Sequence, residues 1–112
     1  MAEARKRSRT IEFPTHLTDD DVIDVKLFQE GKEIVKFSLS YRTLIKNKWR
    51  EVYRIDSYHD YVHEQKFWVS DKPIKIQRFT SIVTGFEIRR YLESIKRNFK
   101  HYRSLFHERW FR

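Results

Sequence analysis

The chain contains no cysteine, one methionine, two glycines and two prolines in 112 residues. Without cysteine, disulfide stapling, thiolate catalysis and Cys-ligated zinc are all excluded, and only His and carboxylates remain as strong metal ligands. Long apolar runs are also missing. No stretch approaches the ~20 apolar residues of a membrane span, and the basic residues Arg5, Lys6, Arg7 and Arg9 are not followed by the apolar core of a secretion signal. A soluble cytoplasmic protein without membrane contact is the expectation. No internal repeat or low-complexity tract breaks the chain, which is short enough for one domain and a modest core.

Aromatic residues are plentiful: nine Phe, six Tyr and three Trp make up 16% of the chain. That content argues against disorder and for an aromatic-rich core. The formal net charge is +8, and it is unevenly placed. Residues 1–20 balance, residues 21–60 carry +1, and residues 61–112 carry +7. Clustered Lys and Arg attract polyanions through counterion release, so nucleic acid leads as partner class, with an acidic protein second.

Residues 1–20 show no sustained period and include Pro14 and the start of the run Asp19–Asp21. They read as a flexible basic arm and connector. The remainder, 21–112, reads as a single α+β domain. Val22 to Gln29 partly alternates, Glu30-Gly31-Lys32 marks a hairpin, and Ile34 to Leu44 alternates clearly over Val35, Phe37, Leu39 and Tyr41. After a turn at Lys46-Asn47-Lys48, period two places Trp49, Glu51, Tyr53 and Ile55 on one face and Arg50, Val52, Arg54 and Asp56 on the other. Ser57 to Glu64 is polar and reads as a strand end. Apolar character resumes over Gln65–Val69, and Ser70-Asp71-Lys72-Pro73 turns the chain into Ile74–Phe79. The expectation is an antiparallel sheet of about five strands joined by short loops.

Beyond Phe79 the period changes. Ile88, Leu92, Ile95, Phe99, Tyr102 and Phe106 recur at steps of three and four, which predicts a long C-terminal amphipathic helix over about 81–108, packed across the sheet. Thr80 or Ser81 can cap it, or Thr84 with Glu87 can form a capping box farther on. Arg89, Arg90, Lys96, Arg97, Lys100 and Arg103 occupy the outer helix surface, a candidate phosphate-binding face, although cations also suit the C-terminal part of a helix without any ligand.

Arg54, Asp56, His59 and His63 bring a guanidinium, a carboxylate and two imidazoles within ten positions. Such a set fits metal-independent RNA cleavage. One His takes the 2′-OH proton, a second acid protonates the leaving oxygen, and Arg stabilises charge on the phosphorane. The reference pKa of His, ~6.5, lies near working pH, and Asp56 would hold one imidazole in a fixed tautomer. No cofactor is needed for this chemistry. The same residues also allow a two-His, one-carboxylate metal set with Asp60 or Glu64 in place of Asp56, or a plain ion pair beside exposed loop histidines. Trp49, Tyr53 and Trp68 alternate with polar residues and read as core rather than as base-stacking platforms, whereas Trp110 and Phe111 fit no periodic pattern.

Residues 34–63 run Phe37-x-Leu39-x-Tyr41, then Asn47-Lys48-Trp49-Arg50-x-Val52-x-Arg54-x-Asp56-x-x-His59-x-x-x-His63. This resembles the core of TumE-type toxins of toxin–antitoxin modules and of a sister family of small prokaryotic proteins. Those sequences usually read Lys-Trp, Arg-Tyr-Asp and paired histidines, and close with a Phe-Thr-Ser helix start such as Phe79-Thr80-Ser81. The chain departs from them in Ile55, where Tyr is common, and in its long basic helix. The resemblance implies a small sheet-plus-helix protein that acts on RNA or the translation machinery and is neutralised by an antitoxin-like partner. It carries Arg54, Asp56, His59 and His63 as site residues. Two alternatives use the helix instead: a non-catalytic nucleic-acid-binding module, or an interaction domain that holds an acidic partner or a second copy in a homodimer.

Overall fold

A computed structural model describes residues 7–58, 61–70, 72–78 and 85–112. The elements are β1 (Ser8–Thr18), β2 (Asp21–Glu30), β3 (Glu33–Ile45), β4 (Lys48–Tyr58), β5 (Tyr61–Lys66), β6 (Ile74–Arg78) and α1 (Gly85–Phe111). The strands form one antiparallel meander in sequence order, and the helix lies across β3 and β4. This is an α+β fold of two layers.

Alternation explains the central strand. Phe37, Leu39, Tyr41 and Thr43 of β3 are buried, while Lys36, Ser38, Ser40 and Arg42 point to the opposite face. Lys46 and Asn47, at φ 53° and 62°, form the two-residue turn between the paired residues Ile45 and Lys48. Left-handed backbone at both positions matches the right-handed twist of the flanking strands, and Asn tolerates it well.

The predicted helical stripe is the one that packs. Ile88, Ile95, Phe99 and Phe106 are buried, with Leu92 and Tyr102 half-buried beside them. Rings meet rings along this seam: Tyr91 stacks on Phe37 at 5.7 Å, Phe99 meets Tyr41 edge-on at 5.9 Å, and Tyr102 stacks on Tyr53 at 4.8 Å. Each such pair adds about 0.5–1.5 kcal/mol to the area it buries. The helix therefore runs in the direction of β3, with its outer face turned away from the sheet.

Four expectations need correction. The sheet has six strands, because Ser8–Thr18 is a strand and not an arm: it pairs with β2 from Ser8↔Glu30 to Thr18↔Asp21. Only Ile11, Thr15 and Leu17 of β1 are half-buried, so an edge strand of this kind leaves no strong alternation in the sequence. Pro14 is tolerable there because an edge strand has one side with no ladder to feed. Second, β5 begins at Tyr61 rather than Gln65, since Glu64 and Gln65 satisfy Tyr53 and Arg54 inside the fold. Third, Tyr41 pairs with Tyr53 but Arg42 pairs with Glu51, so Val52 is an extra residue. This bulge reverses the expected faces of Trp49, Arg50 and Glu51, and it leaves Trp49 exposed under the Arg42 guanidinium at 4.5 Å. Fourth, the described helix extends to Phe111, while its candidate caps Thr80, Ser81 and Thr84 lie outside the described residues.

One buried carboxylate ties the layers together. Asp21, 0% exposed, accepts hydrogen bonds from Thr18 Oγ1 at 2.5 Å, Tyr41 Oη at 2.6 Å, Thr43 Oγ1 at 2.8 Å and Arg103 Nη1 at 2.8 Å. Burial alone would raise its pKa, but the three hydroxyls and the Arg103 charge outweigh it and hold the carboxyl below its ordinary value. The Asp21→Asn variant puts an amide among four donors and is expected to lose roughly 3 kcal/mol, about 10 °C or more in Tm. Since the folded pKa is depressed, the stabilisation is complete above the ordinary value of 3.8 and is lost as pH falls through the lower folded value. Thermal melts across pH should show the gap between the two proteins closing in acid; a constant gap would assign the loss to packing instead.

Candidate functional site

Arg54 and Asp56 are two positions apart on β4 and share the face opposite α1, since their neighbours Tyr53 and Ile55 are buried toward the helix. Arg54 Nε lies 3.2 Å from Asp56 Oδ2. His63 joins them from β5, where it pairs directly with Asp56, and its Nδ1 is 3.9 Å from Asp56 Oδ1. The expected cluster of a guanidinium, a carboxylate and an imidazole is thus assembled by strand register. His59 lies outside the described residues.

The surroundings define what this group can do. The Asp56 side chain is 6% exposed and that of His63 15%, whereas Arg54 remains at 36%. Burial raises the Asp56 pKa; Arg54 and His63 oppose the rise, and Glu51 adds to it. Arg54 is anchored at both ends of its fork, donating to Gln65 Oε1 at 2.8 Å and to Glu51 Oε1 at 3.3 Å, while Ser40 donates to the other oxygen of Glu51. Arg54 Nε and His63 Nδ1 are buried without a hydrogen-bond partner of good geometry, although both face Asp56. Among the described residues, no three His, Asp or Glu side chains gather as a metal-binding group.

The helix cations divide into two kinds. Arg89, Arg90, Arg97 and Lys100 are exposed, and none has a carboxylate at ion-pair distance among the described residues. Lys96 reaches Glu93 at 3.4 Å. Arg103, expected on the phosphate-binding face, is instead committed to Asp21 at 2.8 Å. The free cations and the Arg54–Asp56–His63 cluster therefore stand on opposite faces of the sheet.

A family described as a domain of unknown function (DUF7718) matches the chain over residues 4–112. The chain belongs to that family. Nothing among curated proteins or solved structures matches it. The DUF7718 description carries no activity and brings no link to TumE-type toxins. No helix of the described residues is long and apolar enough to cross a membrane.

Within this DUF7718 chain, sequence reasoning missed Asp21. It closes an aspartate run that reads as a polar connector, and the signal was its place directly before the apolar residues Val22 and Ile23. The two buried carboxylates should respond oppositely to pH. Asp56 has a raised folded pKa, so its contribution favours the folded state at low pH and is lost as pH rises through that raised value. The Asp56→Asn variant is accordingly expected to melt no lower than the native protein at pH 7 and to lose any advantage toward pH 3.8 and below. Melting curves over that range test this; a large loss of Tm at pH 7 would make the ion pair a net stabiliser.

Proposed function

We propose that the chain is a nucleic-acid-binding protein, with RNA favoured, that holds a phosphate backbone on the outer face of α1. The observation that carries this reading is the set of four exposed cations Arg89, Arg90, Arg97 and Lys100, without a carboxylate partner among the described residues and spread over roughly three turns of one helix. Free surface guanidinium groups exchange water and counterions for phosphate at little cost in internal contacts. The preference for RNA and an antitoxin-like partner come from the resemblance to TumE-type toxins; that such a partner is acidic and competes for the same face follows from the charge of the helix, and a cytoplasmic location is part of the same proposal.

A second reading, RNA cleavage, is favoured by the burial of Asp56 between Arg54 and His63. In that chemistry His63 accepts the 2′-OH proton, Asp56 stabilises the resulting imidazolium, and Arg54 offsets charge on the phosphorane. The leaving oxygen would take its proton from a second acid, for which His59 is the candidate. Because the faces differ, binding and cleavage should separate by mutation.

Labelled RNA incubated with the native protein, with and without a chelator, gives both readouts. Replacing Arg89, Arg90, Arg97 and Lys100 by Gln should weaken binding and flatten its salt dependence by about 0.7 in log–log slope per lost single-strand phosphate contact; native-like binding by that variant would remove the helix reading. An Asp56→Asn/His63→Ala pair should abolish chelator-resistant cleavage while keeping RNA affinity, and undiminished cleavage would end the catalytic reading.

A further inference from the structure

Beside the C-terminal end of α1, where the helix crosses the start of β4 and the turn after β5, lies an open cleft of about 770 Å³. Its walls are aromatic: Phe67, Phe106, Trp110 and Phe111. Two guanidinium groups stand at its margin. That of Arg50 lies 4.5 Å from the centre of the Phe111 ring and that of Arg109 4.6 Å from the centre of the Trp110 ring.

Trp110 is 55% exposed, yet it is held in place, because its Nε1–H donates to the Phe67 carbonyl at 3.0 Å. An exposed indole with a fixed ring plane is a ready stacking surface. Neither Arg50 nor Arg109 has a carboxylate partner among the described residues, and Arg50 makes only a long hydrogen bond to the Ile45 carbonyl at 3.4 Å. Glu51 also lines the cleft, but its oxygens already accept from Ser40 and Arg54. The cleft thus offers flat apolar walls and two unneutralised guanidiniums, a combination that matches a base joined to a phosphate.

We infer that this cleft binds one nucleotide unit, its base stacked on Trp110 and its phosphate between Arg50 and Arg109. The inference deepens the nucleic-acid reading by giving the protein a preference for unpaired over paired bases. The nucleotide can belong to a single strand or be free, and the chemistry of recognition is the same.

Fluorescence anisotropy with a labelled single-stranded RNA hexamer, a labelled RNA duplex and labelled AMP distinguishes these sources. The Trp110→Leu variant should bind the hexamer about tenfold more weakly, as loss of one stacked base implies, and should bind the duplex as the native protein does. An Arg50→Gln/Arg109→Gln variant, whose melting curve checks that it folds, should lose hexamer affinity and show a shallower salt dependence. Hexamer binding that is weakened in Trp110→Leu, without AMP binding, assigns the cleft to a strand, and AMP binding that is lost in Trp110→Leu assigns it to a free nucleotide. If Trp110→Leu and the double variant bind the hexamer and AMP as the native protein does, the cleft is not a nucleotide site, while duplex binding by the helix can still stand. If the native protein binds none of the three probes, both readings fall.

Discussion

The Asp21 carboxylate is the interaction on which the arrangement of the two layers depends. Its donors come from the end of β1, from two positions of β3 and from the helix, so four side chains of three elements converge on two oxygens. Apolar contact between helix and sheet is strong but non-directional, and a helix could slide along an aromatic surface at modest cost. The Arg103–Asp21 pair removes that freedom, because a charge without exposure to water must keep its partners. Once Arg103 is fixed, Tyr91, Phe99 and Tyr102 fall opposite Phe37, Tyr41 and Tyr53, and the outer helix face is set.

Asp56 is the contrasting case. It too is buried, but it has fewer partners: Arg54 is shared with Glu51 and Gln65, and His63 stands at 3.9 Å, beyond hydrogen-bond distance. The result is a carboxyl pushed upward where Asp21 is pushed downward. Two Asp residues of one sheet thus differ in the balance between burial and donors, and only the first has the character of a purely structural anchor. An under-satisfied carboxylate next to an imidazole is what proton-transfer chemistry uses. It also stands within a polar face that runs from Asp24 and Arg42 through Ser40 and Glu51 to Gln65.

Much of this was legible in the sequence where one face of an element meets the core and the other meets water. The stripe from Ile88 to Phe106 and the alternation from Phe37 to Tyr41 were of that kind. Arg54 and Asp56 followed from the same rule, being two apart on a strand. The readings that failed concern residues whose environment depends on a partner distant in sequence. Edge strand β1 buries too little to show a period, the bulge at Val52 shifts faces by one residue, and Glu64 looks like a loop residue until Tyr53 donates to it. Arg103 is separated by 82 positions from Asp21, and no local pattern distinguishes it from Lys100 one turn earlier.

That last distinction bears on function. A charge of +7 over residues 61–112 would, read alone, make every helix cation equivalent. The structure divides them by what they would forfeit. Arg103 would have to leave a buried carboxylate unpaired in order to engage an outside phosphate, whereas Arg89, Arg90, Arg97 and Lys100 give up only water and counterions. The fold therefore commits Arg103 to its core, while Arg89, Arg90, Arg97 and Lys100 have no carboxylate partner among the described residues. Such like charges close together on one helix repel each other and weaken it slightly. A polyanion laid along α1 would relieve that repulsion without disturbing Asp21, so the anchor and the binding face can serve the fold and its partner independently.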